Sequence, residues 1–279
     1  MVIDGHCHIL PPSFARRRRE LAARDATFAG LFASPKTRLA TAEGLLAAMD
    51  EAAVAHAVVM GMGWSDPELA REANDYLAQA VARYPDRLTG FCSVNPTWGE
   101  AAVAEVERCA AALLRGIGEL HPDTQGFDIT DRSLLAPLMD TARRLGLPVL
   151  VHASEPVGHQ YPGKGRTTPG KLYRFIQNFP NNTIICAHWG GGLPFYALMP
   201  EVPPVLQNVY FDTAASPYLY QPQVFSAVVG LVGADKVIFG TDYPLISHQQ
   251  LLAQVEGAGF DPAAREAILG GNMARLLGL

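Results

Sequence analysis

Cysteine is scarce in this chain. Four residues, Cys7, Cys92, Cys109 and Cys186, are spread over 279 positions with no CxxC spacing, which excludes a disulfide-dense scaffold. Cys7 and Cys186 fall in apolar runs that read as buried strands, so reduced thiols and a cytoplasmic location are expected. Long hydrophobic runs are also missing. None approaches the ~20 residues that a membrane-spanning helix needs, and no membrane partner is expected. An acid and two histidines lie within the first eight residues, unlike a signal peptide. Charge of one sign is not in excess either. There are 22 Lys and Arg against 27 Asp and Glu, a net charge of −5, and no basic surplus that would suit nucleic acid. No low-complexity linker divides the chain, so residues 1–279 read as a single domain.

What is present is a regular alternation. Hydrophobic residues make up 49% of the chain, enough for a sizeable core. Apolar strand candidates lie at 2–8, 55–62, 88–94, 115–120, 148–152, 183–188, 207–212 and 236–241. Most are separated by Ala- and Leu-rich stretches with helical spacing, such as Leu45, Leu46, Met49 and Ala53. Asp66-Pro67 and Asp261-Pro262 have the form of an N-cap followed by proline in the first helical turn. Thr97 to Glu100 has the form of a capping box, and Gly270-Gly271 reads as a helix end. Alternating β and α elements imply a parallel sheet. Eight of them in about 250 residues fit a closed (β/α)8 barrel, the TIM barrel.

Polar residues stand at the C-terminal ends of these strand candidates. His6 and His8 are two apart on the first, where side chains share a face. His152, His188 and Asp242 end the fifth, sixth and eighth. In a TIM barrel the chemistry lies at that end, so these five residues read as one metal site. Two connections are long for the repeat, 9–40 and 153–170. The first holds Pro11-Pro12 and the run Arg16 to Arg19; the second is rich in Pro and Gly. Long connections of this kind are often functional. Both follow strands that end in candidate ligands and are expected to cover the barrel mouth as a lid and a substrate loop.

These residues carry a family resemblance. Asp4-Gly5-His6-Cys7-His8-Ile9-Leu10-Pro11, Val151-His152, Ala187-His188, Gly240-Thr241-Asp242-Tyr243-Pro244 and the ending Gly271 to Gly278 resemble the amidohydrolase superfamily. The nearest branch is the amidohydrolase-related (amidohydrolase 2) group that includes aminocarboxymuconate semialdehyde decarboxylase. The resemblance runs the length of the chain. It implies a divalent metal held by His6, His8, His152 and Asp242, with His188 assisting catalysis. Glu119, near the end of the fourth strand, departs from the decarboxylase pattern. Other superfamily members place a metal-bridging residue on that strand, so Glu119 could be a further ligand.

Three imidazoles and a carboxylate suit Zn2+, and also Mn2+ or Fe2+; one ion is favoured over two. The chemistry expected first is hydrolysis of an amide, lactone or ester of a small molecule. Asp242 would act as general base and His188 as proton donor or oxyanion stabiliser. The alternative is non-oxidative decarboxylation of an unsaturated or aromatic acid. There a cation from Lys164, Arg166 or Lys171, or an arginine of the first loop, would hold the carboxylate. His121 and Trp189 are further substrate candidates, and Trp64 and Tyr161 could join an aromatic pocket. Asp212 reads as a structural hydrogen-bonding group, His56 as structural, and His159 and His248 as surface loop residues. An exposed apolar helix face would leave room for a homodimer.

Overall fold

The computed structural model describes residues 1–279. Eight parallel strands follow one another in spatial order: β1 (Ile3–His8), β2 (His56–Met60), β3 (Leu88–Cys92), β4 (Gly116–Leu120), β5 (Val149–Val151), β6 (Ile184–Cys186), β7 (Val209–Asp212) and β8 (Val237–Ile238). β8 returns to β1 through Gly5 N–H to Phe239 O (2.8 Å), Asp242 N–H to His6 O (2.9 Å) and His8 N–H to Tyr243 O (2.7 Å). The result is the expected (β/α)8 barrel.

Burial on both faces explains why the strands read as unbroken apolar runs. Inside the barrel, Ile3, Val58, Met60, Phe91, Leu150 and Ile185 pack together. Outside it, alternate strand residues such as Val59, Ile117, Val149 and Ile184 meet the surrounding helices in the main core. Helix Pro67–Arg83 starts as its sequence predicts, with Asp66 accepting from the N–H of Glu68 and Leu69, and Asp261 caps Pro262–Glu266 in the same way. Two local expectations are corrected. Thr97 caps nothing, because Asn95 caps a short turn there and Gly99 opens helix Glu100–Ala111. Gly270 and Gly271 do not end a helix; a wide turn at Ala267–Gly271 runs directly into Asn272–Leu277.

The connection 9–40 is not structureless. It folds into short helices Pro12–Arg16, Arg18–Arg24 and Ala26–Phe32, whose Phe14, Phe28 and Phe32 form a small core with Trp64. Arg18, in the run Arg16 to Arg19, donates to the carbonyls of Phe32, Ser34 and Thr37. It thereby ties down the segment that carries Lys36 and Arg38. No helix in the structure is long and apolar enough to cross a membrane.

The β1–β8 seam is organised by Asp4, which is fully buried. Asp4 accepts from the N–H of His6 and Thr241 (both 3.0 Å) and from the Thr241 hydroxyl. His248 Nε2 lies 3.1 Å from Oδ2, the oxygen that takes the Thr241 hydroxyl. Burial acts to raise the Asp4 pKa, but His248 and these donors hold it below the ordinary carboxylate value. His248 is therefore not the surface loop residue expected; it is buried at the start of helix His248–Gly257 and stacks on Tyr243 at 5.3 Å. Because Asp4→Ala leaves buried donors unpaired on both strands, it is expected to cost roughly 3–5 kcal/mol of stability, read as a lower urea midpoint against wild type.

Candidate active site

Simple alternation along β1 cannot produce this site. Ile3 points into the barrel and Cys7 out of it, although both are odd-numbered. The pairing with β2 shifts between Asp4 and Cys7, and this irregularity changes the phase of the strand so that His6 and His8 point inward. Irregularities of this kind re-aim side chains near active sites. Gly5 is needed there, since a Cβ would lie 2.5 Å from Ile238 Cγ2. The β4–β5 pairing shifts in the same way between Ile117 and Leu120. It turns Glu119 into the barrel while Ile117 and Leu120 both face the outer core.

Hydrogen bonds then set the orientation of each imidazole. His6 Nδ1–H donates to Asp212 Oδ2 (2.8 Å) and His8 Nδ1–H donates to the Gly61 carbonyl (2.8 Å). A carbonyl can only accept, so the His8 proton is on Nδ1. The Nε2 atoms of His6 and His8 consequently face one another at 3.0 Å. Two lone pairs at that distance repel unless a cation or proton lies against them. Asp242 Oδ1 is 3.2 Å from His8 Nε2 and 3.9 Å from His6 Nε2, and Glu119 Oε2 is 3.6 and 3.8 Å away. The other Glu119 oxygen faces His152 Nδ1 at 2.9 Å and His188 Nε2 at 3.5 Å. His6, His8 and Glu119 form one group with metal-ligand spacing, and Glu119, His152 and His188 form a second. Imidazole and carboxylate donors in this number suit a divalent ion.

The sequence thus points to six residues, His6, His8, Glu119, His152, His188 and Asp242, that the fold brings to one place. Asp212 is structural in the sense expected, yet close to the chemistry. It orients the His6 ring and accepts the N–H of His188 (2.8 Å) and Ala214 (3.0 Å). Two cluster members hold unusual backbone. His188 (φ 56°) and Asp242 (φ 64°) are left-handed without being glycine, a conformation that persists where the surroundings over-determine it. For His188 those surroundings are Asp212 at its N–H and Ala214 O at its Nδ1 (3.2 Å).

The electrostatics follow from burial against charge. Burial acts to deprotonate His6, but Asp212, Glu119 and Asp242 outweigh it and raise its pKa to about 10. His188 is raised to about 9, as Glu119, Asp242 and Asp212 likewise overcome burial. Burial opposes charge on Glu119 too, yet His152, His188 and His6 hold it well below the carboxylate range. His121 goes the other way, pushed down to about 3 by burial and by His152.

A cavity of about 620 Å³ opens onto this cluster, with His8, Glu119, His152, His188 and Asp242 on its walls. Both long connections contribute to it, the first through Leu31, Phe32, Lys36 and Arg38, the second through His159, Tyr161 and Gly163. Three expected substrate residues do not reach it. Trp189 is buried, donates from Nε1 to Ser216 Oγ (2.6 Å) and packs on Phe225. Its place after a strand end is occupied by packing. Lys164 bonds the carbonyls of Val157 and His159, and Arg166 lines a separate polar hollow. Trp64 is likewise buried away from the cavity, against Phe14 and Phe28. His121 does line the cavity. The cations that reach it are Lys36 and Arg38. Arg38 is an arginine of the first connection, as the decarboxylase alternative allows; Lys36 is not among the expected cations, and neither carries a local motif.

A family model described as amidohydrolase matches residues 3–279. The 2-amino-3-carboxymuconate-6-semialdehyde decarboxylase of Dictyostelium discoideum is 29% identical over 252 residues, covering 77% of this chain and 69% of that protein. The gamma-resorcylate decarboxylase of a Polaromonas species is 26% identical over 257 residues, covering 76% and 77%. Among solved structures, 5-carboxyvanillate decarboxylase from Novosphingobium aromaticivorans, complexed with manganese and a nitrobenzoic acid, superposes with a TM-score of 0.84. It is 19% identical and covers 100% of this chain and 96% of that one, a likeness of fold. The expectation of a hydrolase of amides, lactones or esters is corrected by these relatives, which are named as decarboxylases and favour the carboxy-lyase alternative. Matched from its first strand to its last residue, the chain belongs to the amidohydrolase family.

Proposed function

We propose that the chain is a metal-dependent carboxy-lyase that removes CO2, without oxidation, from a small aromatic or unsaturated carboxylic acid. The observation that carries this reading is the buried histidine and carboxylate cluster flooring a cavity with Arg38 at its rim. The decarboxylase names of the relatives support it. A divalent ion held by His6, His8, His152 and Asp242, with Glu119 as a further oxygen donor, would attract the substrate's oxygens and draw electrons from the bond to be broken. Manganese and zinc both suit this donor set.

The chain's own groups supply the rest. Arg38 faces the cavity and is anchored at the β8 side by its bond to Tyr243 Oη (3.2 Å), with its guanidinium over the Tyr243 ring at 5.4 Å. It holds the carboxylate that departs, by charge-assisted hydrogen bonds. His188 Nε2 faces the cluster, 3.5 Å from Glu119 Oε1, and carries the proton to be delivered. His188 gives that proton to the substrate carbon. The bond from that carbon to the carboxylate breaks, its electron pair returns to the unsaturated system, and CO2 leaves. The net change is one carboxylate plus one proton giving one C–H bond and CO2. Both long connections line the mouth, and water kept from the bound acid there would favour proton delivery to carbon.

Turnover of a panel of aromatic acids in D2O is expected to place one deuterium on carbon per CO2 released, while H2 18O leaves no label in the decarboxylated organic product, the CO2 being set aside because it exchanges oxygen with water. Mass spectrometry reads both, and 18O in the product would overturn the reading. Replacing Arg38 with Met should lower kcat/KM about 10–100-fold, as for a lost hydrogen bond to a charged group; steady-state kinetics check it, with metal content as the control. Without metal, His6, one of the residues that would hold the ion, keeps its proton up to about 10. Metal must displace protons, so affinity is expected to rise with pH between about 6 and 9, as measured by manganese titration against a chelator.

A further inference from the structure

His121 is the one member of the cavity wall whose side chain is buried and yet has no partner in the protein. It is 1% exposed, and neither Nδ1 nor Nε2 makes a hydrogen bond to any protein atom. Everything else about the residue is fastened. Its N–H donates to Gln125 Oε1 (2.9 Å), and that side chain in turn donates to the carbonyls of Trp64 (3.1 Å) and Val94 (2.9 Å). Its ring stacks on His152, centroids 4.0 Å apart and planes at 15°. Its neighbour across the cavity wall is Gly163, where even a Cβ would stand 3.9 Å from Nε2. A rigidly held imidazole offers one donor and one acceptor, and leaving both unmet in a buried place is costly.

Its position says what would meet them. β4 and β8 are half the barrel apart in the strand order. Arg38 is anchored to Tyr243 at the β8 side, and His121 follows β4, with the cluster between them. An acid whose carboxylate lies towards Arg38 therefore extends its far side towards His121. We propose that His121 is a specificity-determining residue that hydrogen-bonds a hydroxyl group on the part of the substrate remote from the departing carboxylate. A hydroxyl suits whichever nitrogen it meets, accepting from the N–H or donating to the bare nitrogen. This rests on the carboxy-lyase reading for the presence of an acid in the cavity, not for the role of the ring.

The test is binding of benzoate and the three monohydroxybenzoates to the manganese-loaded protein by isothermal titration calorimetry, in wild type, His121→Phe and His121→Gln. Phenylalanine keeps a flat ring against His152 and removes both polar atoms; glutamine restores a donor and an acceptor. Wild type is expected to favour 3- or 4-hydroxybenzoate over benzoate by at least about tenfold, as for a site that pairs a substrate hydroxyl. That ratio should collapse in His121→Phe and recover in part in His121→Gln, with metal per chain unchanged in both. The proposal is overturned if wild type shows no preference for either isomer, or if the ratio survives in His121→Phe. Loss of metal from His121→Phe would also overturn it, by assigning the ring to support of His152. Preference in binding without any CO2 release from the bound acids would leave His121 in its role and count against the carboxy-lyase reading instead.

Discussion

The seam between β1 and β8, closed around buried Asp4, is the constraint on which the rest of the molecule depends. A parallel barrel closes only if its last strand finds its first in register, and here three backbone hydrogen bonds from Gly5 to His8 do so. Asp4 binds the backbone on both sides of the join at His6 and Thr241, each next to or one of the cluster residues. Closure of the fold and assembly of the site are therefore the same event.

Around that seam the cluster concentrates charge that water would otherwise stabilise. Glu119, Asp212 and Asp242 are brought against four imidazoles in a place with little solvent. Buried charges persist only when paired or bound to a cation. Each carboxylate here has a partner, and each imidazole is oriented through its other nitrogen or by a neighbouring ring. Left-handed backbone is held at His188 by Asp212 and Ala214, and at Asp242 by its N–H to the His6 carbonyl. The rigidity suits a site that must keep its donors in place with or without an ion.

The reach of local pattern is visible in the individual residues. His6, His8, His152, His188 and Asp242 all end apolar runs, and strand ends in a barrel converge, so their meeting was legible before any coordinates. Glu119 was legible as a strand-end acid, but the shift in β4 that aims both its oxygens at the histidines was not. Trp189 and Trp64 carry the same strand-end signal and are packing residues. The signal locates a Cα and says little about which way a side chain turns. His248 looked like a loop residue because nothing local marks it; burial came from Tyr243 and Asp4, distant in sequence.

Architecture, the number and order of strands, the family and the composition of the cluster are all readable from the order of residues. Each of these is written in short-range periodicity and in residues fixed to strand ends. Among the candidate cations the fold selects Arg38 of the first connection over Lys164 and Arg166, and adds Lys36. It also decided which imidazole nitrogens are free to act and which histidine, His121, is left without a partner. Those outcomes depend on how long connections fold over the barrel mouth and on hydrogen bonds between residues far apart in the chain, neither of which leaves a periodic trace.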